Sequence, residues 1–270
     1  MQLEEGDLHH AASLWIKELS LSYLDQSILK EGRPLTANHM HGASLLLKKS
    51  FPEHNGLYDT SYLSERLEWK SVPRSFVQII HVNGNHWACL TNKFCSSESD
   101  VELYDSLHTD PANDSILEQA AAILKSSYCK RMCIKVINVQ TQKGVSECGA
   151  FAIAMAYDLC NHLDPFQRAY DQSKLRLNIE KVFVRSSFSG IVFSKPRRSN
   201  SKSLPERVVK ALSVELHCVC RLPDLLESRY GDMACCDACK NWFHADCLAI
   251  PVEVFSDPTM QWFCINCVKD

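Results

Sequence analysis

The 270-residue sequence predicts an α+β domain of about 190 residues, with helices around a small mixed sheet, followed by a small metal-stabilised module. Three observations carry this reading. Strand-like runs and helical patterns alternate through the first two thirds of the chain. Eight of the 14 cysteines crowd between Cys218 and Cys267, paired and with a histidine among them, which is a metal pattern. The charge also divides: residues 185–215 carry seven Lys/Arg against two Asp/Glu and residues 216–270 four against eight, so the stretch around "SKPRRSNSKS" reads as a linker. The expected division is a domain over 1–193, a basic Ser-rich linker over 194–215 and the metal module over 216–270.

In chain order, Leu8, Leu14, Trp15, Leu19 and Tyr23 recur as on a helix. Leu35 and Thr36 open a second helix that runs to Lys49 and stops at "SFP". "SFVQIIHV" and "HWACLTN" are strands joined through "NGN", and "DVELYDS" is a third. A helical pattern over about 114–127, a strand "CIKVINV" and a helix over about 171–184 follow. Between the last two, Phe151, Ala154, Met155 and Leu159 form an apolar face that continues to His162, so Cys148 opens a buried helix with Ser146 as its expected N-cap.

The composition, 46% hydrophobic with a net charge of −3, excludes a disordered chain. No apolar stretch approaches the ~20 residues of a membrane span, and the acidic opening "MQLEEGDLHH" is unlike a signal peptide, so neither a membrane nor secretion is expected. The six cysteines outside the tail show no disulfide framework, which fits a reducing cytosol or nucleus. The basic, Ser-rich linker reads as solvated and flexible, either merely a solvated connection or one that could also serve as an import signal or touch nucleic acid. His9, His10, His39, His41, His54 and His108 read as surface or helix residues, and Cys129 and Cys133 as core packing.

A cysteine at a helix start is either a small buried apolar residue or a nucleophile stabilised by the unpaired N–H groups of the first turn. A nucleophile needs a base, an orienter for that base and donors for the oxyanion. His86 stands at a strand edge after "VNGN", Asp105 ends the neighbouring strand in "LYDS", and Gln142 lies six residues before Cys148 with Gly149 beyond it. "HW", then "YDS", then Q six before "CG" closely resembles the SUMO-protease (sentrin-type) family of ubiquitin-like-protein-processing cysteine peptidases, over residues 1–193. "LTANHMHGASLLLKKSFP" resembles the family's early helical segment. The resemblance implies a papain-like cysteine protease fold, with Cys148 as nucleophile, His86 as general base, Asp105 as its orienter and Gln142 as oxyanion donor. Trp87 would wall the narrow tunnel that takes a Gly-Gly tail. One departure is visible: Glu147 stands where the family usually has Asp.

The tail reads Cys218-x-Cys220, fifteen residues, "CDACKNWFHADC", sixteen residues, "CINC": eight positions that make two closed zinc sites. With His244 fifth and Trp242 two places before it, the pattern resembles a PHD finger. PHD sites interleave, which implies that Cys218, Cys220, His244 and Cys247 hold one ion and Cys236, Cys239, Cys264 and Cys267 the other, with Cys235 left over. A module of this size buries too little to fold without metal, so both ions are structural. Many PHD fingers read histone tails, and Tyr230, Met233 and Trp242 stand where the family builds a methyl-lysine pocket. The function expected is a cysteine peptidase that cleaves after the Gly-Gly of a SUMO-like or NEDD8-like modifier and is directed to chromatin in the nucleus, with the cytoplasm as alternative. Its partners would be the modifier or its conjugates and a histone tail. Two rivals are a catalytically inactive scaffold that serves as a histone-tail reader and an acetyltransferase that uses the same triad.

Overall fold

The computed structural model describes residues 13–59, 75–84, 86–124, 130–198, 205–223, 231–257 and 259–268. The chain begins with β1 (Leu14–Ile16) and β2 (Leu21–Ser22), paired antiparallel around a single 3₁₀ turn, with Ser20 left-handed at φ +54°. The continuous helix expected through Leu14, Trp15, Leu19 and Tyr23 is thereby corrected, and Leu8 lies outside the described residues. Ile16, Leu19 and Leu21 all turn into the core, at spacings that one helix cannot bring to one face. Helix α1 (Tyr23–Lys30) starts at Ser22, whose capping box with Asp25 satisfies the first free N–H groups. Helix α2 (Ala37–Ser50) starts at Thr36, with His39 as the reciprocal partner. His39 is a buried residue of this helix: its Nδ1 accepts from the Thr36 N–H, its Nε2 donates to the Asp25 carbonyl at 2.9 Å, and burial lowers its pKa, whereas His54, buried and outside any helix, departs from the surface-or-helix expectation.

Next come β3 (Asn55–Gly56), β4 (Phe76–Val82), β5 (His86–Thr91), β6 (Asp100–Tyr104), α3 (Asp114–Ile123), β7 (Arg131–Ile137), α4 (Cys148–Cys160), β8 (Arg168–Tyr170), α5 (Gln172–Arg185), β9 (Ser194–Pro196) and β10 (Val208–Glu215). They build a six-stranded mixed sheet in the order β10-β7-β6-β5-β4-β3, with β3/β4 and β6/β7 parallel and the other pairs antiparallel. Side-chain alternation divides its two faces. Val77, Ile79, Trp87, Cys89, Tyr104 and Ile137 share one core with the helices α1, α2, α4 and α5. Ile80, Ala88, Leu90, Leu103, Ile134 and Val136 pack on α3 from the other side. Every residue of α4 except Tyr157 is buried. Its last carbonyls are met by cations or ring donors: Lys93 Nζ reaches the Leu159 oxygen at 2.7 Å and His54 Nε2 the Cys160 oxygen at 2.6 Å.

The flexible linker expected over 194–215 is also corrected. β9 pairs with β8, and β10 pairs with β7 from Val208↔Ile137 to Glu215↔Arg131, which makes it the edge strand of the main sheet. Among the basic residues that suggested a solvated segment, Arg207 instead neutralises a buried and a partly buried acid. It ion-pairs with Glu102 and, at 3.0 Å, with Asp164, and it donates to the Tyr104 hydroxyl at 2.9 Å. Only 199–204 of this stretch lie outside the described residues.

The tail module holds β11 (Met233–Cys235), β12 (Trp242–His244), α6 (Ala245–Leu248) and α7 (Glu253–Ser256) around Ala234, Cys236, Phe243, Ile250 and Cys264. It begins on the sheet. The Leu216 N–H donates to the Lys130 carbonyl at 2.8 Å, and Leu216 and Leu222 are buried in the α3-side core with Cys220 packed against it. Among the described residues no helix is long and apolar enough to cross a membrane.

Arg207→Ala leaves the buried Glu102 and the partly buried Asp164 without their cation. The expected loss is about 3 kcal/mol of stability in chemical denaturation, the magnitude for breaking one side of a buried ion pair. A loss under 0.5 kcal/mol would return this segment to the role of a linker.

Candidate active site and metal centres

Strand register brings the four candidate catalytic residues to one end of the sheet. β5 and β6 run antiparallel with Cys89 opposite Tyr104, so His86 at the start of β5 lies beside Asp105, the residue after β6. β6 and β7 run parallel with Tyr104 opposite Ile137, and the chain leaving β7 passes the same end, where the Gln142 N–H donates to the Ser106 carbonyl at 3.1 Å. Six residues later α4 begins with Cys148.

His86 Nε2 donates to Asp105 Oδ1 at 2.8 Å. Nδ1 is buried, has no oxygen or nitrogen partner among the described residues, and is the nitrogen left for the Cys148 thiol, which interacts with this ring. Asp105 is fully buried and also accepts the Leu107 N–H at 2.8 Å and the Thr109 N–H at 2.9 Å. Burial alone would raise its pKa, but the bonds from His86, Thr109 and Leu107 outweigh burial and hold it below the usual carboxylate range. Burial likewise disfavours a charged His86, yet hydrogen bonds and attraction from Asp105 and Cys148 push its pKa up to about 9. A line of carboxylate, imidazole and thiol results, with the imidazole set to hold a proton.

The N-cap of α4 is Glu147, not Ser146 as expected, and its side chain makes no capping bond. Its carboxylate pairs with Arg176 Nε of α5 at 2.9 Å, while Arg176 Nη2 donates to the Ser146 carbonyl at 2.8 Å. The longer acid thus ties the segment before Cys148 to α5. Gly149 is required by packing: a Cβ there would come within 2.9 Å of Leu35 Cβ and Met40 Cε and 3.3 Å of Trp87 Cδ1. Trp87 is buried over this contact, its indole N–H donating to the Leu35 carbonyl at 2.8 Å. Gln142 is nearly buried, with Oε1 accepting from the Ser106 hydroxyl and Nε2 donating to the Gly144 carbonyl. The neighbouring amide, Gln140, has both ends bonded to the Tyr170 backbone. Sequence reasoning missed Ser106 and Arg176. Ser106 stands in the quoted "YDS", but nothing in sequence indicates where its hydroxyl points.

In the tail, the ligand atoms of Cys218, Cys220, His244 and Cys247, and those of Cys236, Cys239, Cys264 and Cys267, each lie within 4.8 Å of one another. A zinc ion with Zn–S bonds of about 2.3 Å holds tetrahedral sulfurs about 3.8 Å apart. Cys239 and Cys264 Sγ are 3.8 Å apart, and His244 Nδ1 is 3.3 and 3.9 Å from Cys220 and Cys247 Sγ. The Cys264 N–H also donates to Cys236 Sγ at 3.3 Å, the kind of bond that steadies a thiolate ligand. The clusters fit two structural zinc ions, interleaved as the resemblance to PHD fingers implies, with Cys235 in neither. Cys235 instead lies across the β11/β12 hairpin from Trp242, and Met233 across from His244. Trp242 is 45% exposed on that face, and Tyr230 lies outside the described residues.

Residues 218–267 match the PHD-finger family. The Set1 complex component spp1 of Schizosaccharomyces pombe is 40% identical over 55 residues, 20% of this chain and 12% of spp1. The COMPASS component SPP1 of Saccharomyces cerevisiae is 41% identical over 54 residues, 20% of this chain and 14% of that protein. The remainder of the chain has the fold of the SUMO protease Ulp1. A structure of Ulp1 with its catalytic cysteine oxidised to a sulfonic acid superposes with a TM-score of 0.53 at 16% identity, over 69% of this chain and 97% of that one. The C-terminal Ulp1 protease domain in complex with Smt3, the yeast ortholog of SUMO, superposes with a TM-score of 0.51 at 16% identity, over 68% and 96%. The molecule is therefore a mixed α+β, Ulp1-like cysteine protease fold that carries a PHD finger.

The His86 pKa has a direct check. By proton NMR the imidazole is expected to titrate near 9. Cys148→Ala removes one of the groups that favour its protonated form and must move that midpoint down; a midpoint unchanged in the variant would separate the two side chains.

Proposed function

We propose that the chain is a cysteine peptidase that cleaves after the C-terminal Gly-Gly of a ubiquitin-like modifier, and that its PHD finger directs it to chromatin. The observation that carries the first half is the run from Asp105 through His86 to Cys148, at the first turn of α4, where unpaired N–H groups favour a thiolate. In this reading Cys148 Sγ attacks the glycine carbonyl, the amide C–N bond breaks, and the His86 imidazolium gives its proton to the departing amine. The thioester left on Cys148 is hydrolysed by a water that His86 deprotonates. Gln142 and the Cys148 N–H serve the oxyanion, and Trp87, pressed against Gly149, walls the approach of the tail. Smt3 bound to the Ulp1 protease domain supports a modifier of this class as substrate. The spp1 and COMPASS relatives support chromatin, and with it the nucleus, as the place of action.

The finger's part rests on Trp242, exposed on the face of the β11/β12 hairpin that also carries Met233, where a trimethylated ammonium meets an aromatic plane. Its first ligand segment lies alongside, the Cys218 N–H donating to the Trp242 carbonyl at 2.8 Å, which brings His217 close.

Purified protein incubated with ubiquitin, SUMO and NEDD8 bearing a C-terminal electrophile is expected to form a covalent adduct with at least one of them. Cys148→Ala should abolish the adduct at an unchanged melting temperature. An adduct that survives the substitution would place the nucleophile elsewhere.

Calorimetry with unmodified and trimethylated histone-tail peptides tests the finger separately. Methylation-dependent binding in the tens of micromolar, about −6 to −7 kcal/mol, is expected, and Trp242→Ala should remove it with zinc content unchanged. Equal affinities for the two peptides would dismiss the pocket.

A further inference from the structure

Gln142 is a side chain whose usefulness depends on which way its amide is turned. With Nε2 toward a developing oxyanion it stabilises the charge; turned by 180°, its carbonyl oxygen repels it. Two bonds fix the choice. Nε2 donates one hydrogen to the Gly144 carbonyl at 2.8 Å, and Oε1 accepts the Ser106 hydroxyl at 2.7 Å. Ser106 is completely buried, and its backbone carbonyl also holds the Gln142 N–H at 3.1 Å. One residue therefore grips the glutamine at both its main chain and the far end of its side chain. The second Nε2 hydrogen is left over after these bonds, and a donor on Oε1 draws electron density through the amide and makes that hydrogen a better donor.

We infer that Ser106 is a positioning residue of the oxyanion site, which orients and polarises the Gln142 amide without touching the substrate. The inference rests on the peptidase reading for its consequence in catalysis, and on the two bonds alone for its structural content. It also gives the dipeptide after β6 a double role. Asp105 sets the imidazole and Ser106 sets the oxyanion donor, so a shift of this one turn would disturb proton transfer and charge stabilisation together.

The experiment uses the full chain with Ser106→Ala, Gln142→Ala and the double variant, plus Ser106→Thr, which restores the hydroxyl. With a cleavable modifier substrate, Ser106→Ala is expected to lower kcat about tenfold, short of the roughly 10²–10³ that loss of an oxyanion donor costs, with KM unchanged. In the Gln142→Ala background it should cost nothing further. Alkylation of Cys148 by iodoacetamide, which needs the thiolate but forms no oxyanion, should proceed at the wild-type rate, and Ser106→Thr should recover part of kcat. Multiplicative losses in the double variant, or slower alkylation in step with kcat, would overturn the inference and move Ser106 to the Asp105–His86 side. A second readout is independent of turnover: the Gln142 side-chain amide hydrogens, followed by NMR, should exchange with solvent at least tenfold faster in Ser106→Ala. Unchanged exchange would overturn the inference whether or not any modifier is cleaved, whereas faster exchange without turnover would leave it standing and defeat only the peptidase reading.

Discussion

Helix α4 lies on the sheet with all but one of its residues buried, and the placement of the other site groups follows from that. A helix covered on every side cannot roll or slide without opening voids, which close-packed interiors tolerate poorly. Its first residue, Cys148, is therefore held at a fixed height above the strand ends, and the side chains that meet it need only be set by strand register. Gly149 marks how tight this seat is, since a single methyl group would collide with Leu35 and Met40. The C-terminal end is fixed as well, through Lys93 and His54 on the last carbonyls.

Around that seat the charges are held by dense hydrogen bonding. Asp105 takes two backbone N–H groups besides the imidazole, so its carboxylate stays ionised in a buried place and lends its charge to His86. The stretch from Gln140 to Glu147 is tied from both sides, to β8 and α5 through Tyr170, Gln172 and Arg176 and to the end of β6 through Ser106. Loop residues on a rigid frame are what a preorganised oxyanion site needs, because donors already in place pay no reorganisation at the moment of reaction.

The zinc module obeys a different economy of forces. Its apolar core is small, and metal coordination supplies the folding energy that burial cannot. The two units are not simply strung together. β10 runs out of the sheet directly into Leu216, and Leu216 and Leu222 remain in the larger domain's core on either side of Cys218 and Cys220. The first two zinc ligands thus lie on a segment anchored in the larger domain.

Much of this was legible in sequence because it depends on local periodicity or on covalent spacing. The strands at Phe76–Val82, His86–Thr91 and Asp100–Tyr104 and the helix from Cys148 follow from alternation and from 3.6-residue repeats, and the eight ligands follow from seven cysteines and one histidine at the spacing of tetrahedral metal sites. The candidate residues could be named from motif order: His86, Asp105 and Cys148 lie at element ends that the sequence marks, and Gln142, in the loop between β7 and α4, by its spacing to Cys148 and the family resemblance. Tertiary structure decided what long-range partners decide. The basic segment before the tail became strand and ion pair because Glu102 and Asp164, far away in sequence, needed a cation. The opening run became a hairpin because pairing between β1 and β2 outweighed a weak helical pattern. Glu147 found Arg176, and the Ser106 hydroxyl found Gln142, across distances in sequence that carry no local signal. Sequence determines which groups are present and which element carries them; the direction in which a buried hydroxyl or amide points is fixed only when every polar atom around it must find its partner at once.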